Sequence, residues 1–404
     1  MDTNNIELTI KYIDNKCISY MWNNNNFNKS NVTDSYVTFR MHKNAEYIGT
    51  TTVDNLKNEI NYIETNIIDL LPHTEKLNIE CNTVNDIDFT LNHKTINPTE
   101  IYEKIKNFVQ NIPYFFSIES ITINNYINQE KLVNNIGLNH KHNTDTWDLS
   151  VQIIIKNDKE EMDCLYGDTY ITEDFDIINW LEGWTKVAKY FNVQEPIQSG
   201  IYNVFLDHNN SNILFESYIS LLYSSKIFNK QSNIKIGDHI LPDYIDIIEK
   251  PNGFIPQEID DDGIKTIEKY LYQNGKVESL IVNKKYGNKL NLPSTGNGFN
   301  FGEDVTNIIF IGGRSYQEHW GNFTGIYIMS CLGIKCNITS GDFSTSISGI
   351  FVENGKFTHF FTNGTISFNI FHIKDNMIIL DDYDQYSTFS NPSIILNNFT
   401  VGGI

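Results

Sequence analysis

The chain is 404 residues long, 40% hydrophobic and 13% aromatic, with a formal net charge of −20 at pH 7. That length exceeds one ordinary core and predicts two or three domains. The charge excludes a phosphate-tracking nucleic-acid surface, whose affinity rests on Lys and Arg displacing counterions, and leaves protein, peptide or small-molecule partners. Five widely spread cysteines (Cys17, Cys81, Cys164, Cys331, Cys336) do not read as a disulfide framework and suit a reducing cytoplasm. The first residues carry no positive and apolar leader pattern, and no run reaches the roughly 18 apolar residues of a membrane span.

In chain order, the run Asn23 to Asn26 reads as a loop. Tyr36 to Met41 and Ala45 to Thr52 then alternate as paired strands with a turn near Lys43-Asn44. Leu56, Ile60, Ile63 and Ile67 fall at helical spacing, and Pro72 ends that helix. These elements make an N-terminal α+β domain over 1–75, followed by a polar linker over 76–97. Asn97-Pro98-Thr99-Glu100 is a helix start, with Asn97 as cap and Pro98 in the first turn. Ile101, Ile105, Phe108 and Ile112 give that helix its apolar stripe. Strands are expected over Ser117–Tyr126, Leu149–Lys156 and Met162–Ile171. A helix with Ile177, Trp180, Leu181, Trp184, Val187 and Phe191 on one side closes a central α+β domain, 98–195. His140-Lys141-His142 falls in an expected loop between these strands.

From about Pro196 the texture changes. After a helix near Asn209 to Ser225, short apolar runs alternate with Gly, Asn and Asp: 307–311, 324–329, 350–352, 366–373 and 377–380. Such spacing predicts a β-rich C-terminal domain, 196–404, with tight turns. The fold class expected is α+β: two smaller α+β units followed by a larger β-rich domain.

Taken in order, Gly200 to Asp207, Asp261-Asp262-Gly263, Asn274 to Val277, Ser294 to Gly298, Thr324-Gly325, Ser340 to Ser344 and Gly349 to Gly355 resemble the TldD/TldE (PmbA) family, a metallopeptidase system once labelled modulators of DNA gyrase. Gly200 to Asp207 resembles the strand that opens the family's C-terminal domain. Asp261-Asp262-Gly263 with Asn274-Gly275-Lys276-Val277 resembles its D-x-G hairpin. Ser294-Thr295-Gly296-Asn297-Gly298 matches its S-T-G-N-G/A signature, although Phe299 follows where the family often continues towards Arg. Thr324-Gly325, Ser340-Gly341-Asp342-Phe343-Ser344 and Gly349 to Gly355 match its G-D-F-S and E-N-G block, and Asn134 to Gly137 resembles a turn of its middle domain. The Gly and Asn residues also have a plain reading as turn positions with positive φ. Thr295, Gly296, Asn297, Gly341, Asp342, Phe343 and Ser344 are therefore candidates either for a peptide groove or for turns.

The resemblance implies that a TldD-type subunit holds zinc through two histidines of a His-Glu-x-x-x-His segment and a distant C-terminal cysteine, with the glutamate as base. Here Leu214 to Ser220 occupies that place, with Phe215 and Ser220 at the histidines and Glu216 at the base. No cysteine follows Asn391. A phenyl ring or a neutral hydroxyl cannot replace imidazole on zinc, so no catalytic residue, metal or other cofactor is expected in this chain. His140-Lys141-His142, Asp207-His208 and Asp238-His239 are the alternative metal clusters, with solvated loop histidines as the plain reading. The pattern implies a TldE/PmbA-type subunit paired with a zinc-bearing TldD-like partner that acts on unfolded or leader peptides. Two other readings stay open. One is an independent peptidase using Ser217 or Ser220 beside Glu216, which lacks a Gly-x-Ser-x-Gly elbow. The other is a peptide-binding homo-oligomer.

Overall fold

The computed structural model describes residues 6–23, 26–43, 46–54, 86–88, 96–134, 137–299, 302–383 and 386–404. The expected helix around Leu56–Ile67 lies outside them. The architecture is strand-rich α+β in two bodies.

The first body is one twisted sheet of seven described strands with two helices on one face. Its elements are β1 (Ile6–Asn23), β2 (Asn26–Lys43), β3 (Glu46–Asp54), β4 (Asp86–Asp88), α1 (Pro98–Val109), β5 (Phe115–Asn134), β6 (Asn139–Lys156), β7 (Met162–Ile171) and α2 (Ile177–Thr185). The strand order is β3-β2-β1-β5-β6-β4, and β7 also pairs with β6. β1 runs antiparallel to β5 from Thr9↔Asn134 to Asn23↔Ser120. The two smaller units expected from the sequence therefore share one sheet, and part of the expected linker is β4, which pairs with β6. The cause is long-range pairing: polar stretches such as 127–134 and 139–146 form strands because neighbouring strands satisfy their backbone.

α1 begins as the sequence predicts, with the Asn97 side chain accepting from the Thr99 and Glu100 amides. Its Ile105 and Val109 pack on Leu149, Val151, Ile153 and Ile155, alternate residues that put one face of β6 into the core. Leu181, Val187 and Phe191 join them from α2 and the turn after it.

The opposite face of this sheet is polar and also covered. His140 and His142, expected in a loop, lie on β6 and are only 7% and 6% exposed. Burial lowers both imidazole pKa values from the usual 6.5; Glu130 and Glu258 oppose this, while Lys11 and His140 add to it at His142. Both rings are thus held neutral. The unfolded chain takes up these protons first as pH falls, so stability present at pH 7 is lost progressively below the unfolded value near 6.5. Thermal melts between pH 7.5 and 5 are expected to show a falling Tm, and His142→Asn to flatten that fall. An unchanged slope in the variant would refute the assignment.

The second body comprises β8 (Gln194–Pro196), β9 (Gly200–Leu206), α3 (His208–Ser220), α4 (Ser224–Phe228), β10 (Ile245–Glu249), β11 (Lys269–Gln273), β12 (Lys276–Val277), α5 (Lys284–Leu290), β13 (Ile308–Gly312), α6 (Tyr316–Asn322), β14 (Gly325–Asn337), β15 (Asp342–Glu353), β16 (Lys356–Asn369), β17 (Met377–Tyr383), β18 (Phe389–Ser390) and β19 (Pro392–Gly402). One sheet has the order β17-β19-β9-β14-β15-β16-β8. β16 also pairs with β19 through Thr365↔Gly402 and Ile366↔Val401. Strands β9, β14, β15, β16 and β19 therefore close into a ring, which removes their free edges. A second sheet, β12-β11-β10-β13-β18, packs beside it, and α3 is wedged into the shared core with Leu214, Phe215, Tyr218 and Ile219.

Among the described residues the bodies meet through shared core packing, with Ile350 and Phe360 of the second body buried in the core of the first, and through ring contacts and an ion triad. Tyr170–Phe254, Phe175–Tyr386 and Phe191–Phe360 meet at centroid distances of 5.4, 5.2 and 5.3 Å. Lys11 Nζ on β1 sits 2.8 Å from Asp261 and 3.0 Å from Glu130.

Candidate functional site

Asp207 caps α3, accepting from the Asn210 amide at 3.1 Å while the Tyr327 hydroxyl donates to its other oxygen at 2.7 Å. This fixes the start of the helix that carries the degenerate motif. Phe215 is fully buried, its ring meeting Phe310 edge-on at 4.7 Å. Tyr218 donates its hydroxyl to the Ile370 carbonyl at 2.7 Å, which locks the same face inward. Glu216 is exposed and accepts from Asn212 Nδ2 at 2.8 Å; Ser220 is half-buried at the last turn. Phe215 and Ser220, five apart on a regular helix, point about 140° from each other. Phe215 is buried in the core, while Glu216 is exposed to solvent. Zinc does not fit these residues: the first ligand position is a hydrocarbon ring packed among hydrocarbons. Among the described residues no three His, Cys, Asp or Glu side chains are grouped to hold a metal.

A cleft of about 640 Å³ opens at the N-terminal end of α3, between the bodies. Asp207 lines it from the cap of α3, His208 and Asn212 from α3 itself, Asp148 from β6, and Asp168 with Tyr170 from β7. Glu216 does not line it. Burial pushes the Asp148 carboxyl pKa up, with the Asn124 amide opposing that shift. His208 Nδ1 is 2.9 Å from the Asn391 carbonyl, so that nitrogen donates, and Nε2 lies 3.6 Å from Asp382. Burial raises Asp382, and His208 counters it. Cys331, also in the cleft, has its thiol pushed up to about 11 by burial and stays protonated at neutral pH. β7 runs along the cleft and pairs only with β6 among the described strands. Beside the cavity β7 therefore has an edge with no described partner strand, along which the Cys164 amide already donates to Asp163 and the Tyr170 carbonyl accepts from the Thr169 hydroxyl.

The signature residues lie elsewhere. Asn297 is fully buried and uses its whole amide. Nδ2 donates to Glu249 at 2.7 Å and to the Asp304 carbonyl at 2.8 Å, while Oδ1 accepts from Lys269 Nζ at 2.9 Å and Thr295 Oγ1 at 2.6 Å. Glu249, 1% exposed, also takes the Thr306 amide at 2.8 Å and pairs with Lys269. Gly296 has φ +73, and a Cβ there would come within 2.5 Å of the Lys265 carbonyl. Behind it, burial pushes the Asp260 pKa up to about 7, although Asp260 accepts from the amides of Gly298, Ile264 and Asp262.

Gly341 (φ +81), Asp342, Phe343 and Ser344 form the β14–β15 turn and the start of β15. The Ser340 hydroxyl donates to Asp342 at 2.7 Å, and Phe343 stacks on Phe368 at 4.7 Å. Neither signature segment lines the cleft. The Glu249–Lys269 pair and the acidic cleft wall escaped sequence reasoning, because their members are far apart in the chain with no local pattern. The Asn134–Gly137 turn lies partly outside the described residues.

A family model described as the PmbA/TldA metallopeptidase C-terminal domain matches residues 199–403. The chain is 25% identical over 225 residues to a "Metalloprotease PmbA homolog" of Haemophilus influenzae, covering 54% of this chain and 49% of that protein. It is 23% identical over 198 residues to "Metalloprotease PmbA" of Escherichia coli O157:H7, covering 47% and 43%. The chain thus spans about half the length of the curated relatives it matches. In fold it is similar to a putative modulator of a DNA gyrase from Thermotoga maritima (TM-score 0.82, 20% identity, 98% of this chain and 96% of that one). It is also similar to TldE from Thermococcus kodakarensis (TM-score 0.79, 15% identity, 98% and 97%). With the domain match covering half the chain and both bodies retained in these folds, the chain belongs to the TldD/PmbA family.

Proposed function

We propose that this chain is a TldE/PmbA-like, non-catalytic subunit that pairs with a zinc-bearing TldD-like subunit and helps present unfolded or leader peptides to it, in the cytoplasm. The observation that carries this reading is Phe215: where the catalytic relatives are expected to place a zinc ligand, this chain places a ring inside its core. The cleft supports the peptide part. An extended peptide can add to the open edge of β7 through main-chain hydrogen bonds, a mode that tolerates many sequences. Zinc belongs to the partner, and its hydrolytic chemistry is supplied there.

The test is co-expression with a homologue carrying an intact His-Glu-x-x-x-His, followed by size exclusion, metal analysis and a peptide-cleavage assay. The expected outcome is co-elution, zinc stoichiometric with the partner only, and cleavage only by the pair. Stoichiometric zinc together with peptidase activity in this chain alone would overturn the proposal. A stable homo-oligomer that ignores the homologue would point to the peptide-binding reading instead.

A further inference from the structure

A pocket of about 420 Å³ lies in the second body, away from the cleft, bounded by the Pro242–Tyr244 loop, Arg314, α6 and the Lys374 turn before β17. In a chain of net charge −20 with only two arginines, it gathers Arg314, Lys374, His239 and His319. Its construction is rigid around Arg314. Gly312 and Gly313, at φ +105 and +93, lie so flat that a Cβ on either would strike the Tyr244 or Leu380 carbonyl. The Arg314 amide then donates to the Ile379 carbonyl at 2.8 Å, and its carbonyl accepts from the Asp381 amide at 3.0 Å. The guanidinium stands over the Tyr244 ring at 4.2 Å, and the Tyr244 hydroxyl is itself held by the Ile379 amide at 3.1 Å.

Asp243 and Asp375 also line the pocket. Even so, among the described residues no carboxylate comes within the 4.0 Å of an ion pair to Arg314 or Lys374. His319 Nδ1 is 3.0 Å from the Ser315 carbonyl and donates to it, which leaves Nε2 as the ring atom available to a ligand. The contacts of the Arg314 guanidinium with the Tyr244 ring and hydroxyl orient an otherwise exposed side chain before any ligand arrives. The guanidinium keeps a planar fork of N–H donors matched to two oxygens of one anion.

We propose that this pocket is a receptor for a small oxyanion, a carboxylate or a phosphate, clamped by Arg314 and assisted by Lys374. Two sources share that chemistry: the free C-terminus of a peptide and a phosphoryl group. The site is independent of the peptidase-partner reading, since it needs neither the cleft nor a second chain.

The experiment is a titration of the full-length chain, followed by amide NMR shifts at low salt. The probes are inorganic phosphate, an N-acetylated tripeptide with a free carboxylate, and the same tripeptide as its C-terminal amide. Saturable shifts centred on the pocket are expected with at least one of the two anionic probes and not with the amide. The probe that binds more tightly identifies the source. Arg314→Gln is expected to weaken binding by about tenfold or more, and Lys374→Gln by a smaller factor, consistent with the greater strength of bidentate arginine contacts. Circular dichroism of both variants checks that they fold. Absence of saturable binding by either anion, equal binding of the amide, or undiminished affinity in folded Arg314→Gln would each overturn the proposal.

Discussion

Lys269→Met is expected to cost this protein about 3–5 kcal/mol, because it strands the Glu249 carboxylate inside the second body. Lys269 is 9% exposed and Glu249 1%, so water cannot replace the lost ammonium. Burial lowers the Lys269 pKa, and the attraction of Glu249 opposes that shift. The pair is thus a compromise between desolvation and Coulomb attraction, and its removal as a unit is much cheaper than its removal by halves. Glu249→Gln combined with Lys269→Met is expected to recover more than half of the loss, since the amide oxygen can still accept from Asn297 and Thr306. Urea denaturation of wild type, single and double variants measures the cycle. A single-variant loss under about 1 kcal/mol would show that the pair is not isolated from solvent.

The second large effect concerns the position where a zinc ligand is missing. Phe215→Ala is expected to destabilise by about 3–5 kcal/mol, the range for emptying a fully buried phenylalanine site. Restoring the family pattern with Phe215→His and Ser220→His is expected to destabilise the chain too, without binding zinc. The first imidazole would lie against Phe310 with no polar partner, and a regular helix turns the second about 140° away. Metal analysis after gel filtration reads the outcome, and zinc at one equivalent would show that the scaffold still holds the old geometry. Glu216→Ala, on the exposed side, is expected to stay within about 0.5 kcal/mol of wild type.

Local chemistry made parts of this fold legible. Asn97 starts a helix because its side chain can meet two free amides, and that can be read from four residues. The alternating Leu149-to-Ile155 run is a strand with one buried face, which is equally plain. The motif order marked the family and the vacant ligand positions. What could not be read was anything decided by distant partners. Asn128, Lys131 and His140 look like loop residues, yet they lie in strands because β1, β5 and β6 pair along their full length. Asn297 looked like a turn or groove residue, but its role depends on Glu249 and Lys269, which precede it by dozens of residues. Arg314 stands in no local sequence motif. Only the folded chain sets it against Tyr244.

The closed ring of the second body has a consequence for synthesis. β19 pairs Ile395 with Phe205, and it also supplies the seam to β16. A nascent chain emerging from the ribosome therefore carries β9 long before its neighbour exists, while the first sheet already has all its described strands. The strand pairing of the first sheet can form as it emerges, although Ile350 and Phe360 complete its core later; the second body keeps a hydrophobic strand edge waiting until residues 392–402 arrive. During that interval an unpaired strand edge is exposed, and the risk of misassembly is greatest.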